Sequence, residues 1–154
     1  MLTVIIPVLN EEKTIANVVQ FCLQHPQVTE VIVVDDKSED NTAAVATAAG
    51  AKVIISQVRG KGISMKDGIQ QATNEIIIFL DGDIDPYPEA TITGLSTPLI
   101  NDEADFNIKF NGEIVVGRAI VDSGDVHGLA YFLQRLANSS SDLGTDFFAA
   151  KRPN

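Results

Sequence analysis

The stretch that decides the reading is "NEIIIFLDGDIDPYPEA", residues 74–90, in which a continuous apolar run breaks into three aspartates and then two prolines. Residues 74–81 read as a strand, because Ile76, Ile77, Ile78, Phe79 and Leu80 run without polar alternation, as they do in a parallel sheet covered on both faces. A buried strand that ends in Asp81 and Asp83 delivers carboxylates to one edge of its sheet. The two are separated by Gly82 alone, so in an extended chain both side chains project to one side.

Three earlier segments have the same character: "LTVIIPV" (2–8), "EVIVVDD" (30–36) and "AKVIIS" (51–56). Helical patterns lie between them. In 11–24 Ile15, Val18, Val19 and Cys22 recur at helical spacing, with Asn10 placed to cap and Glu11 and Glu12 complementing the positive N-terminus. Residues 38–50 carry Ser38 and Asp40 as capping candidates and end in Gly50, and 62–73 form a third helix that Gly68 weakens. Strand and helix alternate four times in about eighty residues, the pattern of an α/β three-layer sandwich around a mostly parallel, Rossmann-like sheet. A further helix follows Pro88 to Ile100, two strands flank a turn at Asn111-Gly112 within 104–121, and 126–141 gives a last helix. The tail from Ser139 is expected to fray, and the whole of 1–154 reads as a single domain.

The formal net charge of −10 and pI near 4.4 oppose nucleic acid and anionic membrane as partners. No apolar run approaches the roughly 20 residues of a membrane-spanning helix, no signal peptide precedes the first strand, and a cytoplasmic location is expected. The lone cysteine, Cys22, reads as a small buried hydrophobe. A homodimer is compatible with an exposed sheet edge.

Ligands of open α/β sheets bind outside the carboxyl ends of the strands, and four polar clusters fall there. They are Asn10, Glu11 and Glu12 after the first strand, Asp35 and Asp36 after the second, Arg59, Gly60, Lys61 and Gly62 after the third, and Asp81 and Asp83 after the fourth. Asp81 and Asp83 suit a hard cation, Mg²⁺ or Mn²⁺, whose remaining ligands are water and phosphate oxygens. In so acidic a chain, a carboxylate-held cation presents positive charge to a diphosphate. A carboxylate at the strand end, Asp35 or Asp36, can accept hydrogen bonds from a base N–H or a ribose hydroxyl, and Lys61 can meet a phosphate as a point charge.

The ordered motifs "VIIPVLNEEKTI", "EVIVVDDKSEDNT", "RGKG" and "FLDGDIDPYPE" resemble family 2 glycosyltransferases with the A-type nucleotide-sugar fold, over residues 1–105. Within that family, "RGKGISMKDGI", "DGDID" and "PLINDEADF" look most like glucosyl-3-phosphoglycerate synthases and related sugar transferases. The resemblance implies that Pro7, Leu9 and Glu11 line the nucleotide pocket, that Asp36 faces the base and that Lys61 sits near the diphosphate. It also implies that Asp81 approaches the ribose or the metal and that Asp83 binds the metal. The implied reaction is metal-dependent transfer of a sugar from a nucleotide-diphosphate sugar, of UDP-glucose or GDP-mannose type, to a small-molecule or glycan acceptor hydroxyl.

The part after residue 105 is short for the family's acceptor half. There "VGRAI" is similar to an acceptor loop, with Arg118 as an anion contact, and His127 compares with a later metal-binding histidine. Asp105, Asp125 and Asp146 are all conceivable bases, and the sequence does not choose among them. Two other readings share parts of the pattern. A signalling receiver domain would use Asp35, Asp36 and Asp81 around Mg²⁺, but the motif "LTVIIPVLNEE" precedes the acidic pair and Lys109 is followed by Phe110 rather than proline. A domain that binds the nucleotide sugar without turning it over is the other.

Overall fold

In the computed structural model the described residues are 1–104, 106–110, 113–117 and 145–151. They form β1 (Leu2–Val8), α1 (Ile15–Gln24), β2 (Val28–Asp35), α2 (Thr42–Ala48), β3 (Lys52–Ile55), α3 (Lys61–Gln71), β4 (Ile76–Phe79), α4 (Thr91–Ile100), β5 (Phe106–Phe110), β6 (Glu113–Gly117) and β7 (Thr145–Lys151). One seven-stranded sheet runs β3-β2-β1-β4-β7-β5-β6. The first four strands pair in parallel, and β7, β5 and β6 extend the sheet antiparallel beyond β4.

The chain moves outward from β1 to β2 to β3, then returns across β1 to place β4 on its other side. Right-handed crossovers require the helices of the two directions to lie on opposite faces. The core follows that rule. On one face Leu2, Val4, Ile6 and Val8 pack with Ile15, Val18, Val19 and Cys22 of α1, Ala46 of α2, and Ile92, Leu95 and Leu99 of α4. On the other, Ile5, Ile32, Val34, Ile77 and Phe79 pack with Met65 and Ile69 of α3. Every residue of β1 except Pro7 is buried, as a strand covered on both faces must be. Cys22 is fully buried with its thiol pushed up to about 12, an inert hydrophobe as expected.

Several expectations shift. Gly68 weakens α3 as an isolated helix but serves the fold, because a Cβ there would stand 2.6 Å from Ile5 Cγ2; the absent side chain lets α3 settle onto β1. Segment β3 is an edge strand with Lys52 and Ile55 exposed, so its apolar run is not covered on both faces. Helix α1 starts at Ile15, because Asn10 sits at φ 54° and its amide oxygen accepts the Glu39 N–H instead of capping. Helix α2 starts at Thr42; Asp40 accepts the Thr42 N–H, while the Ser38 hydroxyl turns back to Asp35. Gly50, at φ 107°, closes α2 as expected.

The fraying expected from Ser139 fails for residues 145–151. They form β7, which lies between β4 and β5 and pairs Phe148 with Phe79 and Ile108. Strand β4 needs a partner on its free edge, and that partner comes from some seventy residues away, where local pattern carries no signal. The strands expected within 104–121 are β5 and β6. The turn at 111–112 and the helix over 126–141 lie outside the described residues.

At the end of the sheet away from the strand termini discussed above, Thr3 of β1 pairs with Glu30 of β2. The Glu30 carboxylate accepts the Thr3 hydroxyl at 2.6 Å and the Thr73 N–H at 3.0 Å. Burial by itself would raise its pKa, but these bonds, the Thr73 hydroxyl and the charge of Lys52 together hold it below the ordinary 4.5. The folded chain therefore binds this proton less tightly than the unfolded chain. The stability it contributes is present above about pH 4.5 and is lost as pH falls through the lowered value. Glu30→Gln is expected to cost about 1 kcal/mol at pH 7 and progressively less as pH falls through the lowered value, read from urea midpoints at neutral and acid pH. An equal loss at both pH values would remove the carboxylate's charge from the explanation.

Candidate nucleotide-sugar site

The reversal of strand order between β1 and β4 opens a crevice at their carboxyl ends, the place where ligands sit in such sheets. A cleft of about 260 Å³ occupies it, lined by Pro7, Val8, Leu9, Glu11, Asp36, Lys61, Ser64, Asp81, Gly82 and Asp83. All seven residues singled out from the sequence as donor or metal contacts line this one cleft.

Each arrives by a separate local device. Pro7 and Val8 end β1, and Leu9, just beyond it, is 40% exposed, an apolar side chain presented at the wall of a polar cleft. The β1–α1 and β2–α2 loops are stitched together: the Glu11 N–H donates to Thr42 Oγ1 at 2.9 Å, the Asn10 N–H to Ser38 Oγ at 2.8 Å and the Asn41 N–H to the Glu12 carboxylate at 3.0 Å. Asn10 and Glu12 are thereby committed to the loops and not to the cleft. Asp35 is buried and accepts the Ser38 N–H and hydroxyl, so of the acidic pair Asp36 alone faces the ligand side. Both Asp36 oxygens accept the Gly60 N–H, at 3.1 Å each, and Gly60 lies at φ 142°, a conformation glycine reaches without strain.

Lys61 opens α3, and its ammonium lies 2.7 Å from Asp81 Oδ1. Arg59 is exposed and does not line the cleft. Ser64, buried and one helical turn beyond Lys61, lines the floor and donates to or accepts from Ser56 at 3.0 Å. The sequence reading missed it, although the i, i+3 spacing from Lys61 puts both on one helix face.

Asp81 and Asp83 do not extend β4, which ends at Phe79; Gly82 and Asp83 form a turn beyond it. The extended geometry expected for the pair is replaced by a bend, which leaves Asp81 half-buried beside Lys61 and Asp83 exposed. The turn's carbonyls are held on both sides. Tyr87 donates its hydroxyl to the Asp81 carbonyl at 2.8 Å, and Thr14 donates to the Gly82 carbonyl at 2.6 Å.

The electrostatics of the cleft are those of a site short of positive charge. Burial, followed by the charges of Asp83, Asp81 and Asp40, raises the pKa of Glu11. No hydrogen bond or ion pair to Asp83 is made among the described residues, and no three His, Cys, Asp or Glu side chains there converge into a closed metal cage. Such a donor set fits Mg²⁺ or Mn²⁺ held by one or two carboxylates and completed by water and phosphate oxygens, not an all-protein site. Asp105, Arg118, Asp125 and His127 lie outside the described residues, and of Asp146 the structure gives its place in β7.

Comparison with known proteins points the same way. The family model "Glycosyl transferase family 2" matches residues 3–117. Glucosyl-3-phosphoglycerate synthase of Mycolicibacterium smegmatis is 39% identical over 97 residues, covering 56% of this chain and 32% of that protein. Protein RfbJ of Shigella flexneri is 33% identical over 104 residues, covering 68% of this chain and 80% of RfbJ. Among solved structures, the Mycobacterium tuberculosis glucosyl-3-phosphoglycerate synthase in complex with Mn²⁺, UDP-glucose and phosphoglyceric acid superposes with a TM-score of 0.72 at 27% identity, covering 99% of this chain and 57% of that one. The chain spans about a third of the length of the curated synthases it matches. Among the described residues no helix is long and apolar enough to cross a membrane.

Proposed function

Since the chain belongs to glycosyl transferase family 2, we propose that it transfers a sugar from a nucleoside-diphosphate sugar, of the UDP-glucose type, to an acceptor hydroxyl in a reaction that requires Mg²⁺ or Mn²⁺. The observation that carries this reading is the single cleft at the β1/β4 switch point that gathers Asp36, Lys61, Asp81 and Asp83 from three different loops. The uridine donor is supported by the UDP and UDP-glucose complexes of the matched synthases.

In this reading Leu9 and Pro7 give the base an apolar wall, and the Asp36 carboxylate accepts from a base N–H while Gly60 fixes its direction. Lys61 leaves or shares Asp81 to meet the diphosphate, and Asp83, with Asp81, supplies carboxylate oxygens to the cation. A bound divalent cation would neutralise the negative charge that develops on the departing diphosphate. The chain's own part is to hold the donor rigidly, with Lys61 placed where that charge grows. Glu11, disfavoured as an anion by burial and then by its acidic neighbours, is eased once positive charge enters the cleft.

The receiver alternative assigned Asp35 to the cation, and Asp35 is instead buried, with its Oδ1 accepting both the N–H and the hydroxyl of Ser38. Thermal unfolding with Mn²⁺ or Mg²⁺ and either UDP-glucose or GDP-mannose tests the donor site. At 100 times its dissociation constant a ligand adds about 2.7 kcal/mol, which raises the midpoint by about 5–10 °C for a domain of this size. The expected result is a metal-dependent rise with UDP-glucose. A rise with neither sugar nucleotide, or one of equal size without metal, would sink the reading.

A further inference from the structure

We propose that Tyr87 and Thr14 are positioning residues that clamp the Asp81-Gly82-Asp83 turn from two sides, so that cation-dependent donor binding depends on two neutral hydroxyls that do not line the cleft. The inference rests on the donor-site reading above. It starts from a diversion of local chemistry. Thr14 occupies the N-cap of α1, where a threonine hydroxyl ordinarily accepts an N–H from its own first turn. Here it makes no such cap; it reaches 68 positions along the chain and donates to the Gly82 carbonyl at 2.6 Å. The helix forgoes a stabilising cap, and the turn gains an anchor.

Tyr87 supplies the second anchor from a different element, the segment ahead of α4. Its ring is 6% exposed and stacks on Phe21 of α1, with centroids 5.6 Å apart and planes at 20°. The hydroxyl is thereby aimed with little freedom at the Asp81 carbonyl, 2.8 Å away. Asn17, one turn into α1, adds a bond of 2.8 Å to Asp85 on the far side of the turn. The two carbonyls lie beyond the end of β4, outside its ladder. Gly82 is pressed against Val8 from below, which leaves the hydroxyls to decide how the peptide planes, and hence the flanking carboxylates, are turned. Asp83 is exposed and has no side-chain bond of its own to fix it among the described residues. A metal ligand in that situation is held by its backbone, and its backbone is held by Thr14 and Tyr87.

The test uses the full 154-residue chain and calorimetric titration of UDP at a series of Mn²⁺ concentrations, on wild type, Tyr87→Phe, Thr14→Val, Thr14→Ser and the Phe/Val double variant. The expected result is that Tyr87→Phe and Thr14→Val each raise the Mn²⁺ concentration for half-maximal UDP binding by about tenfold, the cost of one hydrogen bond, while Thr14→Ser restores it. A merely structural role would lower the unfolding midpoint and leave the Mn²⁺ requirement in place, and that outcome overturns the clamp while keeping the donor site. Wild type that binds UDP without any Mn²⁺ requirement would overturn the donor-site reading and the clamp with it.

Discussion

Asp83→Ala is expected to abolish metal-dependent binding of UDP-glucose and to lower turnover by at least about 100-fold, with the unfolding midpoint of the ligand-free protein unchanged. The stability half of the expectation follows from exposure: Asp83 is exposed and makes no hydrogen bond or ion pair among the described residues, so its removal leaves no orphaned partner. Loss of a negative charge beside Glu11 and Asp81 even relieves repulsion, so the ligand-free variant is as stable as wild type or slightly more so. The binding half follows from the rest of the cleft. Lys61 already faces Asp81, and with Glu11 and Asp36 the wall remains acidic toward a diphosphate. Asp81→Ala is the informative contrast, because it frees Lys61 for the phosphate and so partly offsets what the cation loses. Unchanged Mn²⁺-dependent binding in Asp83→Ala, measured by calorimetry, would remove the metal assignment from this residue.

How far the sequence carries depends on the range over which each feature is determined. The four parallel strands and the four clusters at their carboxyl ends were legible, because continuous Val/Ile runs and polar loop content are local signals. The convergence of Pro7, Leu9, Glu11, Asp36, Lys61, Asp81 and Asp83 on one cleft then follows from the topology rule alone. What escaped reading was set by distant partners. Strand β7 takes its place from the free edge of β4, Asn10 gives up a cap to bond Glu39, and Thr14 gives up a cap to bond Gly82. Gly68 looked like a defect in a helix because the residue it makes room for, Ile5, lies 63 positions away. Boundaries drifted for the same reason. Strand β4 stops at Phe79 rather than Asp81, since the Gly82 turn is pinned by hydroxyls that no local pattern announces.

The same turn makes Gly82→Val the most damaging single change expected near the site. An ideal Cβ at position 82 would stand 2.6 Å from Val8 Cγ1, 3.4 Å from Ile6 Cγ2 and 3.5 Å from Ile15 Cδ1. Val8, Ile6 and Ile15 are buried in the core on the α1 face, so none has a flexible far end that could swing away. Valine adds two further methyl groups to that clash. Overpacking of this kind costs about 3 kcal/mol, which lowers the unfolding midpoint by about 6–12 °C for a domain of this size. The alternative to paying that strain in the core is to lift the turn off β1. Lifting it stretches the 2.6 Å Thr14 bond and the 2.8 Å Tyr87 bond, and it moves Asp81 and Asp83 together, because they flank the displaced residue. Stability and donor binding should therefore fall in one variant, whereas Asp83→Ala separates them. If Gly82→Val kept both its midpoint and its Mn²⁺-dependent UDP affinity, the turn would not be pinned between β1 and the two hydroxyls, and the geometry assigned to the cation site would have to be abandoned.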